Sequence, residues 1–169
     1  MGNRTALAER IAGVRGGQGD ARDMVGELRR ALVLVPIDSG GLWTAELGGV
    51  RWICAFTDEA ALARFTRARE TARNGGAAGH GETAGNGDAG REWEYSVLRG
   101  ARLLDEIVPA MGVPAGVAVD IADPDGAMFF PPVAGIVPDS VAVDVAVDVA
   151  VDGAVEGAID APVRDGDVR

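Results

Sequence analysis

The chain contains no lysine, and it has one cysteine, one histidine and one tyrosine. Each scarcity closes off chemistry. With Cys54 alone, neither an intrachain disulfide nor a four-cysteine zinc site can form. His80 lies between Gly79 and Gly81, where nothing holds a ring. Cys54 sits in an alternating run with Trp52 and Phe56, the usual setting of a small buried hydrophobe, so a Cys–His dyad is not expected. Ser39, Ser96 and Ser140 lack the flanking pattern of a nucleophile elbow. No apolar run approaches the roughly 18 residues of a spanning helix. Glu9, Arg10 and Arg15 interrupt the first residues as a signal peptide would not, and Ala6 stands where a myristoylation motif needs Ser or Thr. The expected location is the cytoplasm.

All sixteen basic residues are arginine, and the formal net charge is −10. Residues 134–169 hold eight acidic and two basic residues, a disproportionate share of that charge. An acidic chain repels phosphate backbones and anionic headgroups, so neither nucleic acid nor a membrane is an expected partner.

The stretch Arg51–Phe65 organises what is present. Val50, Trp52, Cys54 and Phe56 alternate as in a half-buried strand. Thr57 or Asp58 can then cap a helix on which Ala61, Phe65, Ala68 and Ala72 recur. Before it, Leu7, Ile11 and Val14 predict a short helix over 5–14. Met24, Leu28 and Ala31 predict a second from about Asp20 to Arg30. Residues 31–37 are an uncharged apolar run, expected as a central strand buried on both faces. Gly48-Gly49 joins the runs 42–47 and 50–56 into a hairpin. Later come a strand at 92–98, a helix at 99–111 with Ala101, Leu104, Ile107 and Val108 inward, a strand at 115–121 and a return at 127–130.

Two segments differ in composition. Residues 74–91 are Gly-, Ala- and Asn-rich and predict a flexible insert. From Val141 the pattern Val-Ala-Val-Asp repeats three times. As a strand it would place every valine on one face. As a helix it would stack aspartates at i and i+4. A disordered acidic tail is weighed above an ordered edge strand.

Motifs with chemistry fail on inspection. Gly13–Gly19 lacks Gly-Lys-Ser/Thr, and the glycines of 75–90 lack a strand–turn–helix frame. Asp120, Asp123 and Asp125 before Gly126 suggest a calcium loop, but aligning Gly126 to the loop glycine puts Ile121 first and Pro132 twelfth. No catalytic, cofactor-binding or metal-binding residue is assigned. Phe129 and Phe130 must point to opposite faces of a strand. With Trp43 and the outer-face Arg64 and Arg67 they make up the candidate interaction surface.

The order of elements resembles the SseB amino-terminal domain family, bacterial proteins common in actinobacteria. The resemblance covers roughly Asp20 to Val133. It is carried by "RRALVLVPID", "RWICAFTDEAALARF" and "AGVAVDIADPDGAMFFPPV", above all by Ala55-Phe56-Thr57-Asp58-Glu59. The chain departs from the family at Asp120–Gly126, where members often carry Asn-Pro-Gly. The resemblance implies a small module without established catalytic residues.

The expected fold is one α+β domain, a mixed β-sheet with helices packed against it. A flexible N-terminal arm (1–19) precedes the domain (20–133, with the insert 74–91), and an acidic tail (134–169) follows it. The expected function is a non-enzymatic protein-interaction or regulatory module. One alternative is a small hydrolase or transferase using the acids of 120–126, and another is self-association through the repeat. The expected partner is an unidentified protein, or a second copy joined through a sheet edge or the tail.

Overall fold

The structure, a computed structural model, describes residues 5–75 and 93–143. The arrangement is α+β: four helices and two sheets. Helices α1 (Ala6–Arg15) and α2 (Ala21–Arg30) lead into β1 (Leu32–Asp38). Strands β2 (Gly41–Leu42), β3 (Thr44–Leu47) and β4 (Val50–Ala55) follow, then α3 (Glu59–Gly75) and β5 (Tyr95–Arg99). Helix α4 spans residues 100–110, and β6 (Ala115–Val119) and β7 (Met128–Phe130) complete the order.

One sheet runs β2-β1-β5 and the other β3-β4-β6-β7. Among the described strand pairs, β4–β6 is the parallel one and the others are antiparallel. The sheets join where Leu34 and Phe56 exchange two backbone hydrogen bonds of 2.8 Å. Trp43 reinforces the junction, donating from its N–H to the Pro36 carbonyl and accepting from Cys54 N. The Gly48-Gly49 hairpin forms as expected. Both glycines have positive φ, 62° and 75°, which the tight two-residue turn requires.

Each face of the sheet has its own core. On one side α1, α2 and α4 close over Val33, Val35, Ile53, Ala55, Val117, Val119 and Phe130. On the other, α3 covers Trp43, Trp52, Cys54, Phe56 and Ala118. Strand β4 is therefore buried on both faces. The alternation of Val50, Trp52, Cys54 and Phe56 is real, but Ile53 and Ala55 serve the opposite core. Burial of each large apolar side chain favours folding by roughly 1.5–3 kcal/mol, so a strand feeding two cores contributes twice along the same backbone. Strand β1 departs from expectation the other way. Leu32, at its start, is 59 % exposed, because the covering helices do not extend over that corner.

Helix α1 carries the face expected of residues 5–14, and its Leu7 and Ile11 are fully buried in the first core. Thr5 caps it by accepting from Ala8 N, and Asp20 caps α2 by accepting from Arg22 N. Helix α4 contains a π turn over Leu103–Ile107, where Val108 N donates to the Leu103 carbonyl. Leu103 and Leu104 within it are both buried. Residues 134–143 lie against the first core: Val137 is buried, and Ile136, Val141 and Ala142 pack on it. The insert beyond residue 75, the repeat beyond residue 143 and His80 fall outside the described residues. Among the described residues no helix is long and apolar enough to cross a membrane.

Helix α4 starts at Gly100 because nothing larger fits there. A Cβ at that position would lie 1.9 Å from the Leu28 carbonyl oxygen of α2. Gly100→Ala is expected to destabilise the protein by about 3 kcal/mol or more in chemical denaturation. Gly26→Ala, inside α2 with the nearest side chain 3.6 Å away, is expected to stabilise it by about 0.5–1 kcal/mol.

Candidate functional site

Parallel strands β4 and β6 end side by side, with Ala55 paired to Val119. In open sheets the ground beyond the carboxyl ends of parallel strands is where ligands tend to sit. Here the next residues are Phe56-Thr57-Asp58 on one side and Asp120 on the other. Asp58, not Thr57, is the helix cap: its Oδ1 accepts from Ala61 N at 2.8 Å. Thr57 is thereby released for a different contact. Its N–H donates to Asp120 Oδ1 at 2.9 Å and its hydroxyl to Asp120 Oδ2 at 2.7 Å.

Asp120 is the centre of this arrangement. It is 4 % exposed and adopts φ +50°, a left-handed conformation that Asp tolerates better than most residues. Its N–H donates to the Ala55 carbonyl, so backbone and side chain both bind the β4–α3 junction. Its carbonyl accepts from Asp123 N. Asp123 closes the following turn, accepting from Asp125 N and Gly126 N, and its other oxygen lies 3.5 Å from the Arg64 guanidinium of α3. Asp125 is exposed.

Burial pushes the Asp120 carboxyl up from 3.8 to about 6, with the Asp58 charge adding to the effect. The two Thr57 hydrogen bonds and Arg64 pull the other way. The group is a titrating carboxyl in a covered position, with an acceptor bond on each oxygen. That is the geometry of a tie between elements.

The other sequence candidates scatter. Trp43 and Phe130 are each only 2 % exposed and belong to the two cores. Burial removes both from any contact surface. Phe129 faces the opposite core from Phe130, as expected, and stands edge-on to Trp52 at 5.1 Å. Trp43 stands edge-on to Phe65 at 4.9 Å and carries the Arg69 guanidinium 4.8 Å over its ring. Among the described residues its indole N–H has no acceptor. Of the candidate arginines, Arg64 is brought to Asp123, and Arg67 is exposed on α3. Cys54 is wholly buried, and that burial pushes its thiol far above the ordinary range. Among the described residues, no group of three His, Cys, Asp or Glu side chains is placed to hold a metal ion.

Two contacts escaped sequence reading. Tyr95 donates its hydroxyl to Glu59 at 2.7 Å, tying β5 to the start of α3; the hydrogen bond and charge of Glu59 raise the phenol's pKa. The Arg69–Trp43 stack is the other. Comparison of the chain with family models, curated proteins and solved structures finds no match.

Because the folded carboxyl of Asp120 titrates near 6 and an unfolded one near 3.8, its contribution favours the fold at low pH. That contribution is lost as pH rises through about 6. Asn keeps an acceptor for Thr57 N and removes the charge. The stability of Asp120→Asn relative to wild type is therefore expected to be about 2 kcal/mol more favourable at pH 7 than at pH 4.5, read by denaturant titration. A difference independent of pH would disprove the assignment. Asp120→Ala, which loses both bonds at a left-handed φ, is expected to cost about 4 kcal/mol at pH 4.5 and about 2 kcal/mol at pH 7, because it too removes the titrating carboxyl. Cys54 is expected to react with a thiol reagent only at the rate of unfolding.

Proposed function

We propose that this chain is a non-enzymatic protein-interaction or regulatory module of the cytoplasm, related to the SseB amino-terminal domain family through the resemblance over Asp20–Val133. One observation carries the reading. On neighbouring strands at the margin of the sheet, Leu32 and Val97 are 59 % and 54 % exposed, and β5 has no second strand partner among the described residues. Single apolar residues on a surface are common and mean little. Two of them beside an unpaired backbone offer a partner both apolar contact and hydrogen bonds, the combination used in strand addition.

The acids support the same reading from the other side. A small hydrolase or transferase built on residues 120–126 has in its favour the place of Asp120 beyond the parallel strand ends and its titration near 6. The interaction reading is preferred because Thr57 occupies both Asp120 oxygens, and the turn and Arg64 engage Asp123. Self-association through the Val-Ala-Val-Asp repeat falls on residues beyond those described.

A tagged chain drawn from an extract of its native cells is expected to bring down a stoichiometric partner, another protein or an untagged copy of itself. Leu32→Asp is expected to lower that recovery by about tenfold, since a charge on the patch opposes burial. Wild-type chain that recovers no stoichiometric partner of either kind would overturn the reading.

A further inference from the structure

We propose that β5 is a homodimer contact, adding antiparallel to β5 of a second copy about a two-fold axis at Val97. The inference rests on the interaction-module reading and names its partner. The ladder between β1 and β5 determines which backbone groups are free. At its two ends Gly100 N donates to the Ala31 carbonyl at 3.0 Å and Ile37 N to the Glu94 carbonyl at 2.7 Å. The alternation of an antiparallel ladder then turns Ser96 and Leu98 toward β1, and Tyr95, Val97 and Arg99 away from it. The partners agree: Leu34, directly opposite Val97, sends its own N–H and carbonyl to Phe56 on the far side. Among the described residues nothing pairs with the outward N–H groups of Tyr95, Val97 and Arg99 or with the carbonyls of Tyr95 and Val97, whereas the Arg99 carbonyl, at the N-cap of α4, accepts the first bond of that helix.

Symmetry selects the occupant. A second β5 laid antiparallel with Val97 opposite Val97 sets Tyr95 opposite Arg99, and Arg99 opposite Tyr95. The N–H and carbonyl of each Val97 then meet those of the other, and each Arg99 N–H meets a Tyr95 carbonyl, the self-complementarity an isologous contact requires. Charge matches as well. The Tyr95 hydroxyl donates to Glu59, so the second copy's Arg99 arrives beside a carboxylate. Leu32 lies diagonal to Val97 on the same face, and pairing draws two such patches into one apolar stripe.

The remaining edges carry features that oppose pairing. Strand β3 has four residues and presents the exposed Glu46. Strand β7 has three and runs directly into Pro131-Pro132. Short length, charge and proline are the usual means of blunting an edge. Strand β5 has five residues and an aliphatic centre.

The test uses the purified full chain alone, with mass measured by light scattering or sedimentation across a concentration series. Wild type is expected to rise from 17.3 kDa toward about twice that mass. Val97→Glu sets two carboxylates against each other at the axis. It is expected to weaken association by at least about tenfold while leaving the unfolding midpoint unchanged, because the side chain is exposed in the single copy. Under mild oxidant Val97→Cys is expected to give a covalent dimer, and Val113→Cys, exposed elsewhere, is not. The inference is overturned by a wild-type chain that stays at 17.3 kDa throughout, or by Val97→Glu that associates like wild type. It is also overturned by cross-linking that is absent at 97 or equal at both positions. Association abolished by removing residues 144–169 but untouched by Val97→Glu would assign the contact to the tail and equally overturn it. Because only this chain is present, any of these results leaves capture of a different protein as a separate outcome.

Discussion

One buried carboxylate holds three elements in register. Asp120 follows the last residue of β6, and its bonds go to the end of β4 and to the residue before the α3 cap. A parallel strand pair has no hairpin to fix its ends, so something else must hold them together. Here a backbone bond to Ala55 continues the ladder by one step, and the carboxylate then takes both donors of Thr57. Helix α3 therefore starts at a defined height over the sheet. Phe65 depends on that height to meet Trp43 and Phe56 at ring separations of 4.9 and 5.0 Å. The cost is a charge held away from water, which two hydrogen bonds offset only in part. That imbalance is why the carboxyl binds its proton more tightly in the folded protein than in the open chain.

Much of the frame was legible from local pattern. The Gly-Gly hairpin, the strand carrying Trp52 and the helix behind Asp58 each follow from short-range rules: turn chemistry, period two, and capping. What local pattern does not contain is the environment of each face. The run 31–37 looks the same whether a helix covers its first residue or not, and Leu32 turned out bare. In 50–56, the bulk of Trp52 and Phe56 drew attention to one face, while the small Ala55 and the branched Ile53 fill the other core unannounced. In α4, Leu103 lies four residues before Ile107 and shares its face, yet the inward set of Ala101, Leu104, Ile107 and Val108 passed it over.

The site was half legible for a related reason. Thr57-Asp58 contains two capping residues for one helix end, and only one of them can be the cap. The surplus signalled that the other had a partner elsewhere. That partner lies 63 positions away, beyond any local rule. Asp120, Asp123 and Asp125 stood out as a group, yet the structure separates them by environment: one buried and tied, one closing a turn, one exposed. Arg64 and Arg69 both lie on α3. The first reaches Asp123 and the second lies over Trp43, a distinction that depends on where the sheet runs beneath them.

The surface follows from the same layering. Two sets of helices cover the middle of the sheet, and coverage runs out at the corner where β1 begins and β5 lies outermost. An uncovered corner does not by itself imply strong binding. The proposed antiparallel pairing of two β5 strands would supply about four hydrogen bonds, each contributing roughly 0.5–1.5 kcal/mol net. Bringing two chains together costs an estimated 4–15 kcal/mol, so the bonds alone do not offset it. The surplus must come from Val97 and Leu32, small aliphatic groups at the margin of the contact. The association proposed for β5 is therefore expected to be concentration-dependent instead of obligate. The formal net charge of −10 on each copy acts in the same direction, since like-charged chains repel until salt screens them. The proposed β5 contact is thus expected to be weak and two-fold, strengthening with concentration and with salt.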